Sequence, residues 1–126
     1  MIFISFGASA STTEQFFGYC KTYQNNGFNL EIDTDVACHV AFVKLVEFGE
    51  YNCRWLKYLK SKNPNNSIST AYEVALNHIS IEPFSAKVAI QSFLNWAEKN
   101  PDKWNLRLPD NFRFFLSDKF PCKLDE

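Results

Sequence analysis

The sequence lacks most of the motifs from which catalytic, metal and nucleotide sites are built. It has two histidines and four scattered glycines. It contains no Cys-x-x-Cys pair, no His-Glu-x-x-His motif, no acidic calcium loop and no glycine-rich phosphate loop. The formal net charge is −1 with acids and bases interspersed, so no basic patch indicates binding to nucleic acid or to a membrane surface. No apolar run approaches the roughly 20 residues that span a bilayer. These absences disfavour an enzyme and predict a protein without a metal or a cofactor.

What the sequence does contain is apolar material for a core. Of its 126 residues 46% are hydrophobic and 13 are phenylalanine, which is enough for one folded domain. Residues 1–10 combine a short apolar run with Ala8-Ser9-Ala10, a pattern typical of a signal-peptidase site. We therefore expect a remnant of a secretion signal at residues 1–10 and a single helical domain over residues 11–126. A buried N-terminal strand is the alternative interpretation of residues 1–10.

Apolar residues recur at helical spacing along most of the chain, and no stretch alternates with the period of a strand. The predicted class is all-α: a single-domain bundle of about five helices stapled by two disulfides. Capping residues and Pro or Gly stops place these helices at Ser11–Asn26, Asp33–Phe48, Thr70–His78, Ser85–Asn100 and Pro109–Phe120. The second helix is expected to be buried on most sides, to be interrupted at Gly49 and to continue beyond it.

The four cysteines allow three pairings, and helix geometry favours one of them. If the first two helices form an antiparallel hairpin that turns near Asn29, Cys20 and Cys38 lie at the same level on facing helices, because they are equally far from the turn. That pairing leaves Cys53 for Cys122. The two bridges would contribute about 3 and about 4 kcal/mol in the chain-entropy model. Paired cysteines behind an export signal are typical of an oxidising compartment, and four free, buried cysteines in a cytosolic protein are the alternative.

Two clusters that suggest chemistry have simpler structural explanations. Cys38 and His39 are neighbours on a predicted helix, so their side chains point about 100° apart and do not form a nucleophile–base pair. Glu31, Asp33 and Asp35 lie at a predicted helix start, where carboxylates complement the helix dipole. Neither cluster therefore predicts a catalytic site.

Short motifs in the second half of the chain form an ordered series. They are Pro83-Phe84-Ser85, Phe93-Leu94, Asn100-Pro101, Pro109, Phe115-Leu116 and Phe120-Pro121-Cys122. Together with Cys20 and Cys38, this series resembles the Rap/Tai immunity proteins. That family comprises exported bacterial proteins that neutralise the peptidoglycan-cleaving amidase effectors of type VI secretion. The terminal Phe-Pro-Cys is the most specific of the shared motifs.

The chain departs from the family pattern at three places. Val40, Ala41 and Phe42 stand where the family often has a glycine and a tyrosine. The stretch 79–82 lacks a cysteine that the family tends to have there, and Cys53 has no obvious family counterpart. We expect a compensating exchange, in which Cys53 takes over as the partner of the last cysteine.

The resemblance implies a periplasmic immunity protein, frequently a homodimer, that binds an amidase effector and blocks its active-site cleft with a protruding loop. The shared motifs are structural, so they transfer no binding residue. The residues themselves offer one candidate surface, because aromatic side chains beside cations are typical of interfaces and a polar, asparagine-rich loop follows them. The predicted effector-binding residues are Trp55, Tyr58, Lys60, Lys62, Asn63, Asn65 and Asn66.

Two other non-catalytic functions fit the same composition. An exported helical chaperone would expose apolar surface that increases as the pH drops. A small-ligand carrier would enclose an apolar cavity of several hundred cubic ångströms. Both remain alternatives to the immunity function.

Overall fold

Three α-helices form the framework of the described part of the protein. The computed structural model describes residues 12–62, 78–80 and 85–123. Its helices are α1 (Thr13–Asn25), α2 (Asp33–Lys62) and α3 (Ala86–Lys99). After α3 come two 3₁₀ turns, Pro101–Lys103 and Leu108–Asn111, and a one-turn π-helix, Arg113–Ser117. The described residues contain no strand, and the predicted all-α class is confirmed. The expected signal remnant at residues 1–10 lies outside them.

The core lies where the three helices meet residues 100–123, which follow α3 and are called the C-terminal segment below. The rings of Phe93 on α3, Phe42 on α2 and Phe115 contact one another, with centroid distances of 5.1 Å (Phe42–Phe93), 5.0 Å (Phe93–Phe115) and 5.9 Å (Phe42–Phe115). All three side chains are fully buried. The inward face predicted for α3 is confirmed, and its buried residues are Ala86, Ala89, Ile90, Phe93, Leu94 and Ala97. Helical spacing of apolar residues thus located most of the core of this helix.

Both predicted disulfides are present. Cys20 of α1 pairs with Cys38 of α2, with 5.2 Å between their Cα atoms, and Cys53 of α2 pairs with Cys122, with 5.6 Å. The protein has no free cysteine. One bridge therefore joins the first half of α2 to α1, and the other joins its second half to the C-terminal segment. This complete pairing indicates an oxidising compartment and an exported protein. In residues 12–62, 78–80 and 85–123 no helix is long and apolar enough to cross a membrane.

Helix α2 differs from its prediction in two ways. It runs without a break for 30 residues, so Gly49 does not interrupt it. It is also not buried on most sides, because Val36 and Val40 are 43% and 47% exposed. Valine is among the residues most often buried, so its apolar character predicted burial, and no local signal marked these two as exposed.

Gly49 is the point of closest approach between α2 and its neighbours. A Cβ atom built there would lie 2.7 Å from Ile79 Cγ1 and 2.8 Å from Phe112 Cζ. Both neighbouring side chains are fully buried, so neither has free space to move into. The glycine is therefore required by packing against residues distant in sequence, and not by a break in the helix.

Alanine at position 49 should change the free energy of unfolding in the opposite direction from alanine at an exposed helical glycine. We expect Gly49→Ala to lower the free energy of unfolding by about 1–2 kcal/mol, because overpacking outweighs the gain in helix propensity. Gly18→Ala is the matched control: Gly18 lies inside α1 with nothing within 4 Å of its Cβ position. It should raise the free energy of unfolding by about 0.5–1 kcal/mol. Urea unfolding of both variants measures this, and equal changes of the same sign would contradict it.

The last predicted helix is not an α-helix, so the expected count of about five helices is wrong. The segment from Leu108 to Ser117 forms a 3₁₀ turn followed by a π-turn, in which the Asp118 amide donates to the Arg113 carbonyl at 2.9 Å. Stretches this short form regular helix only when packing favours it. The burial of Phe112, Phe115 and Leu116 was predicted correctly. The predicted helix at 70–78 lies, apart from its last residue, outside the described residues.

The beginning of α1 is capped one residue later than predicted. Thr12, rather than Ser11, accepts a hydrogen bond from the Gln15 amide, and the Gln15 side chain accepts one from the Thr12 amide in return. The helix start is also tied to the C-terminal half, since both the amide and the hydroxyl of Thr13 donate to the Leu106 carbonyl at 2.8 Å. Ser85 caps α3 as predicted, with its hydroxyl accepting from the Val88 amide.

Candidate functional site

The last turns of α2 carry an aromatic platform formed by Trp55, Tyr58 and Lys62. The rings of Trp55 and Tyr58 stack with 5.9 Å between their centroids and an angle of 23° between their planes. The Lys62 ammonium lies 5.9 Å from the centroid of the Tyr58 ring. Spacings of three and four residues place these side chains on one face of the helix. Tyr58 is 54% exposed, so the platform offers a phenol ring and a cation to a binding partner.

The platform contains three of the seven predicted binding residues. Lys60 lies two positions from Tyr58, and residues so spaced do not share a helix face. Asn63, Asn65 and Asn66 lie outside the described residues. The structure thus brings together the aromatic part of the predicted site and places Lys60 on another side of α2.

The platform lies on a well-anchored part of the helix. Cys53, bonded to Cys122, is only five positions before Tyr58, and Leu56 between them is fully buried. Near the helix end, the Ser61 hydroxyl donates to the Tyr58 carbonyl at 2.7 Å. These contacts fix the backbone beneath the exposed ring, which limits the conformational entropy lost when a partner binds.

A second aromatic platform of similar composition was missed by sequence reasoning. Trp96 of α3 and Phe114 of the π-turn stack with 6.0 Å between centroids and 1° between planes. The Lys103 ammonium lies 5.6 Å from the Phe114 centroid, and Phe114 is 40% exposed. The inward positions predicted for residues 112, 115 and 116 already implied that Phe114 points outward. Within residues 12–62, 78–80 and 85–123, a Trp, an exposed ring and a lysine thus come together on two surfaces.

A polar cluster fixes the junction of α1 and α2. The Asp35 carboxylate is fully buried, and its Oδ2 accepts hydrogen bonds from the Asn26 side chain at 2.9 Å and from the Glu31 and Ile32 amides at 3.1 and 3.2 Å. Asp33, the predicted N-cap, is instead the first residue of α2. The capping interpretation of this acidic cluster thus holds, with Asp35 supplying the carboxylate that binds the backbone.

Tyr23 lies beside this cluster and contacts His39. Its hydroxyl is 3.0 Å from His39 Nδ1. Burial raises the pKa of Tyr23 above its ordinary value of 10.0, and the nearby Asp35 charge raises it further. Because Cys38 is in a disulfide, His39 has no cysteine nucleophile beside it, and its contact with Tyr23 is explained as helix-to-helix packing.

The raised pKa of Tyr23 predicts a loss of stability at alkaline pH. The unfolded chain releases the Tyr23 proton at lower pH than the folded protein does, so the free energy of unfolding should fall as the pH rises above about 10. The loss approaches about 1.4 kcal/mol per pH unit until the folded protein also loses this proton. Tyr23→Phe should reduce this slope, at the cost of the hydrogen bond to His39. Urea unfolding between pH 9 and pH 11 tests it, and equal slopes for the two proteins would contradict it.

An exposed apolar surface begins at the loop before α2 and continues along that helix. It comprises Leu30, Ile32, Val36 and Val40, which are 55%, 51%, 43% and 47% exposed. Ile32 directly precedes α2, and Val36 and Val40 follow it at intervals of four residues, so the two valines lie along one side of the helix. Four exposed apolar side chains so close together in the chain are typical of a protein interface.

Comparisons with protein-family models, with curated proteins and with solved structures returned no match. Among residues 12–62, 78–80 and 85–123 no group of three or more His, Cys, Asp or Glu side chains is placed to hold a metal ion. The support for a function therefore comes from the described surfaces and from the sequence resemblance.

Proposed function

We propose that the chain is a periplasmic immunity protein that binds a peptidoglycan amidase effector and blocks its active-site cleft, without catalytic activity of its own. The observation that carries the proposal is the Trp55–Tyr58–Lys62 platform at the end of α2, directly before the polar segment 63–67. An exposed ring beside a cation on a fixed helix end is suited to contact the rim of a cleft. The sequence resemblance supplies the class of the partner.

Both disulfides support this assignment, because both are anchored in α2. A binding element gains affinity when its bound geometry exists before the partner arrives. Here the helix that carries the platform is covalently joined to α1 at Cys38 and to the C-terminal segment at Cys53. An inhibitor that acts by steric occlusion needs such a rigid support and needs no acid–base groups.

Tyr58→Ala tests the platform directly. We expect the Kd for the amidase to increase at least 30-fold, because an aromatic residue at the centre of an interface typically contributes about 2 kcal/mol or more. Isothermal titration calorimetry with purified type VI amidase effectors measures the Kd of each variant. Circular dichroism shows whether the variant keeps its helical content.

Phe114→Ala is the matched control, since Phe114 also stacks on a tryptophan and also has a lysine over its ring. The proposal predicts a change in Kd of less than about fivefold for this variant. If Phe114→Ala abolishes binding and Tyr58→Ala leaves it intact, the binding residues lie on the second platform and the proposed surface is wrong.

We also propose that the exposed apolar surface on α2 binds a second copy of this chain. Two copies of α2 related by a two-fold axis would run antiparallel. If they cross midway between Val36 and Val40, Val36 of each copy lies against Val40 of the other. The same register sets Lys44 opposite Ile32 of the second copy, one position from its Asp33, so opposite charges lie near each other at the ends of the apolar centre. A register centred on Val40 would instead place Asp33 against Glu47. Charge complementarity thus favours the first register.

Light scattering on size-exclusion chromatography tests this dimer. The wild-type protein should elute with twice the mass of one chain, and Val40→Asp should shift it to the mass of a single chain. Val88→Asp, at a valine of α3 that is also 43% exposed, should leave the dimer intact. A monomeric wild type that binds an apolar dye more strongly as the pH drops would contradict the dimer and favour a chaperone.

A further inference from the structure

The two disulfides differ in their access to solvent. Cys20 and Cys38 are both 0% exposed, so their bridge is sealed between α1 and α2. Cys53 is 4% exposed, but its partner Cys122 is partly exposed at the surface. Thiol–disulfide exchange requires a thiolate to reach one of the two sulfur atoms in line with the bond. The Cys20–Cys38 bridge can be reached only through opening of the core, whereas the Cys53–Cys122 bridge has one cysteine at the surface.

The Cys53–Cys122 bridge joins the same two elements that residues 78–80 contact, α2 and the C-terminal segment. On one side of this segment the Ile79 amide donates to the Gly49 carbonyl of α2 at 3.1 Å. On the other side the Ser80 amide donates to the Phe120 carbonyl at 2.9 Å, and the Ser117 hydroxyl donates to the carbonyl of residue 78 at 2.9 Å. Residues 78–80 are therefore held between α2 and the C-terminal segment, and the disulfide joins these two elements covalently.

We propose that Cys53–Cys122 is a site of thiol–disulfide exchange, at which a protein dithiol selectively reduces this bridge and thereby releases residues 78–80 and 118–123 from α2. Cys20–Cys38 stays oxidised and keeps α1 on α2, so the bundle remains folded. Residues 78–80 directly follow the segment that begins at the Trp55–Tyr58–Lys62 platform. Reduction should therefore also weaken effector binding, a consequence that rests on the proposed function.

The exchange balances with a dithiol as the reductant. One thiolate of the dithiol attacks Cys122 Sγ, the sulfur–sulfur bond breaks, and its electron pair leaves with Cys53 Sγ, which takes up a proton. The second thiol of the reductant then attacks the mixed disulfide and releases the Cys122 thiol. The dithiol is oxidised to a disulfide, and the protein bridge is reduced by two electrons.

Stepwise reduction of the full chain tests selectivity. The oxidised protein is incubated with increasing dithiothreitol, alkylated with iodoacetamide and mapped by mass spectrometry. We expect Cys53 and Cys122 to be alkylated at least about tenfold faster than Cys20 and Cys38, which are reached only through opening of the core. Reduction of both bridges at the same rate would overturn the proposal.

Hydrogen exchange tests the release of the clamped segment. In Cys53→Ala/Cys122→Ala, the protection of the Ile79 and Ser80 amides should fall at least about tenfold further than that of the α3 amides, which report the loss of global stability. Cys20→Ala/Cys38→Ala is the control, in which the Ile79 and Ser80 amides should lose no more protection than the α3 amides. An equal loss of protection at these two amides and in α3 in the first variant would overturn the proposal. Neither measurement uses an effector, so failure here is distinguishable from failure of the proposed function.

Discussion

Removal of the Cys53–Cys122 bridge is expected to lower the free energy of unfolding by about 4 kcal/mol, one of the two largest effects that we predict. The bridge closes a loop of 69 residues, whereas Cys20–Cys38 closes one of 18. In the chain-entropy model a longer loop restricts the unfolded chain more, so Cys20→Ala/Cys38→Ala should cost less, about 3 kcal/mol. Urea unfolding of the oxidised protein and both double variants measures these values.

Two explanations of disulfide stabilisation predict different results: restriction of the unfolded chain, and packing of the sulfur atoms in the folded protein. The variant that loses more unfolding free energy distinguishes between them. The Cys20–Cys38 sulfurs are fully buried, so a cost dominated by reduced packing would make their removal the more damaging of the two. We expect the opposite order. A loss below about 1 kcal/mol for Cys53→Ala/Cys122→Ala would contradict the account of this bridge as the main constraint on the C-terminal half.

Phe93→Ala is expected to lower the free energy of unfolding by about 4 kcal/mol. Its ring contacts those of Phe42 and Phe115 at centroid distances of 5.1 and 5.0 Å, and all three side chains are fully buried. Truncation removes the apolar area of one ring and leaves a cavity that the two neighbouring aromatic residues are too rigid to fill. Because this ring packs against both α2 and the C-terminal segment, its removal weakens the attachment of α3 to each of them.

Val88→Ala is the control on the same helix. Val88 is 43% exposed, so its truncation should change the free energy of unfolding by less than about 0.5 kcal/mol. Guanidinium unfolding of both variants gives the comparison. A loss below about 2 kcal/mol for Phe93→Ala would show that the aromatic trio is not the centre of the core.

Local patterns in the sequence predicted the features that depend on local geometry. The equal distances of Cys20 and Cys38 from the turn indicated their pairing and left Cys53 for Cys122. Helical spacing indicated the inward face of α3, and the predicted start and stop of that helix agree with the structure. Each of these inferences depends on residues close in sequence or on one simple hairpin.

Features created by distant contacts were not predicted. Gly49 looks in the sequence like a helix break, but it lies inside α2, where Ile79 and Phe112 occupy the space that a side chain would need. In the candidate site, the local composition of aromatic residues beside cations grouped Trp55 with Tyr58, and their rings stack in the structure. Local composition could not reveal the Trp96–Phe114 platform, whose two rings come from separate elements brought together only by the fold.

Inhibition of a peptidoglycan amidase is the most direct test of the proposed function. We predict that the gene beside that of this chain encodes an amidase, and that one equivalent of the oxidised protein abolishes its release of cleaved stem peptides from purified peptidoglycan. Tyr58→Ala should restore that release while Phe114→Ala keeps it blocked. Full amidase activity in the presence of excess wild-type protein would contradict the central claim.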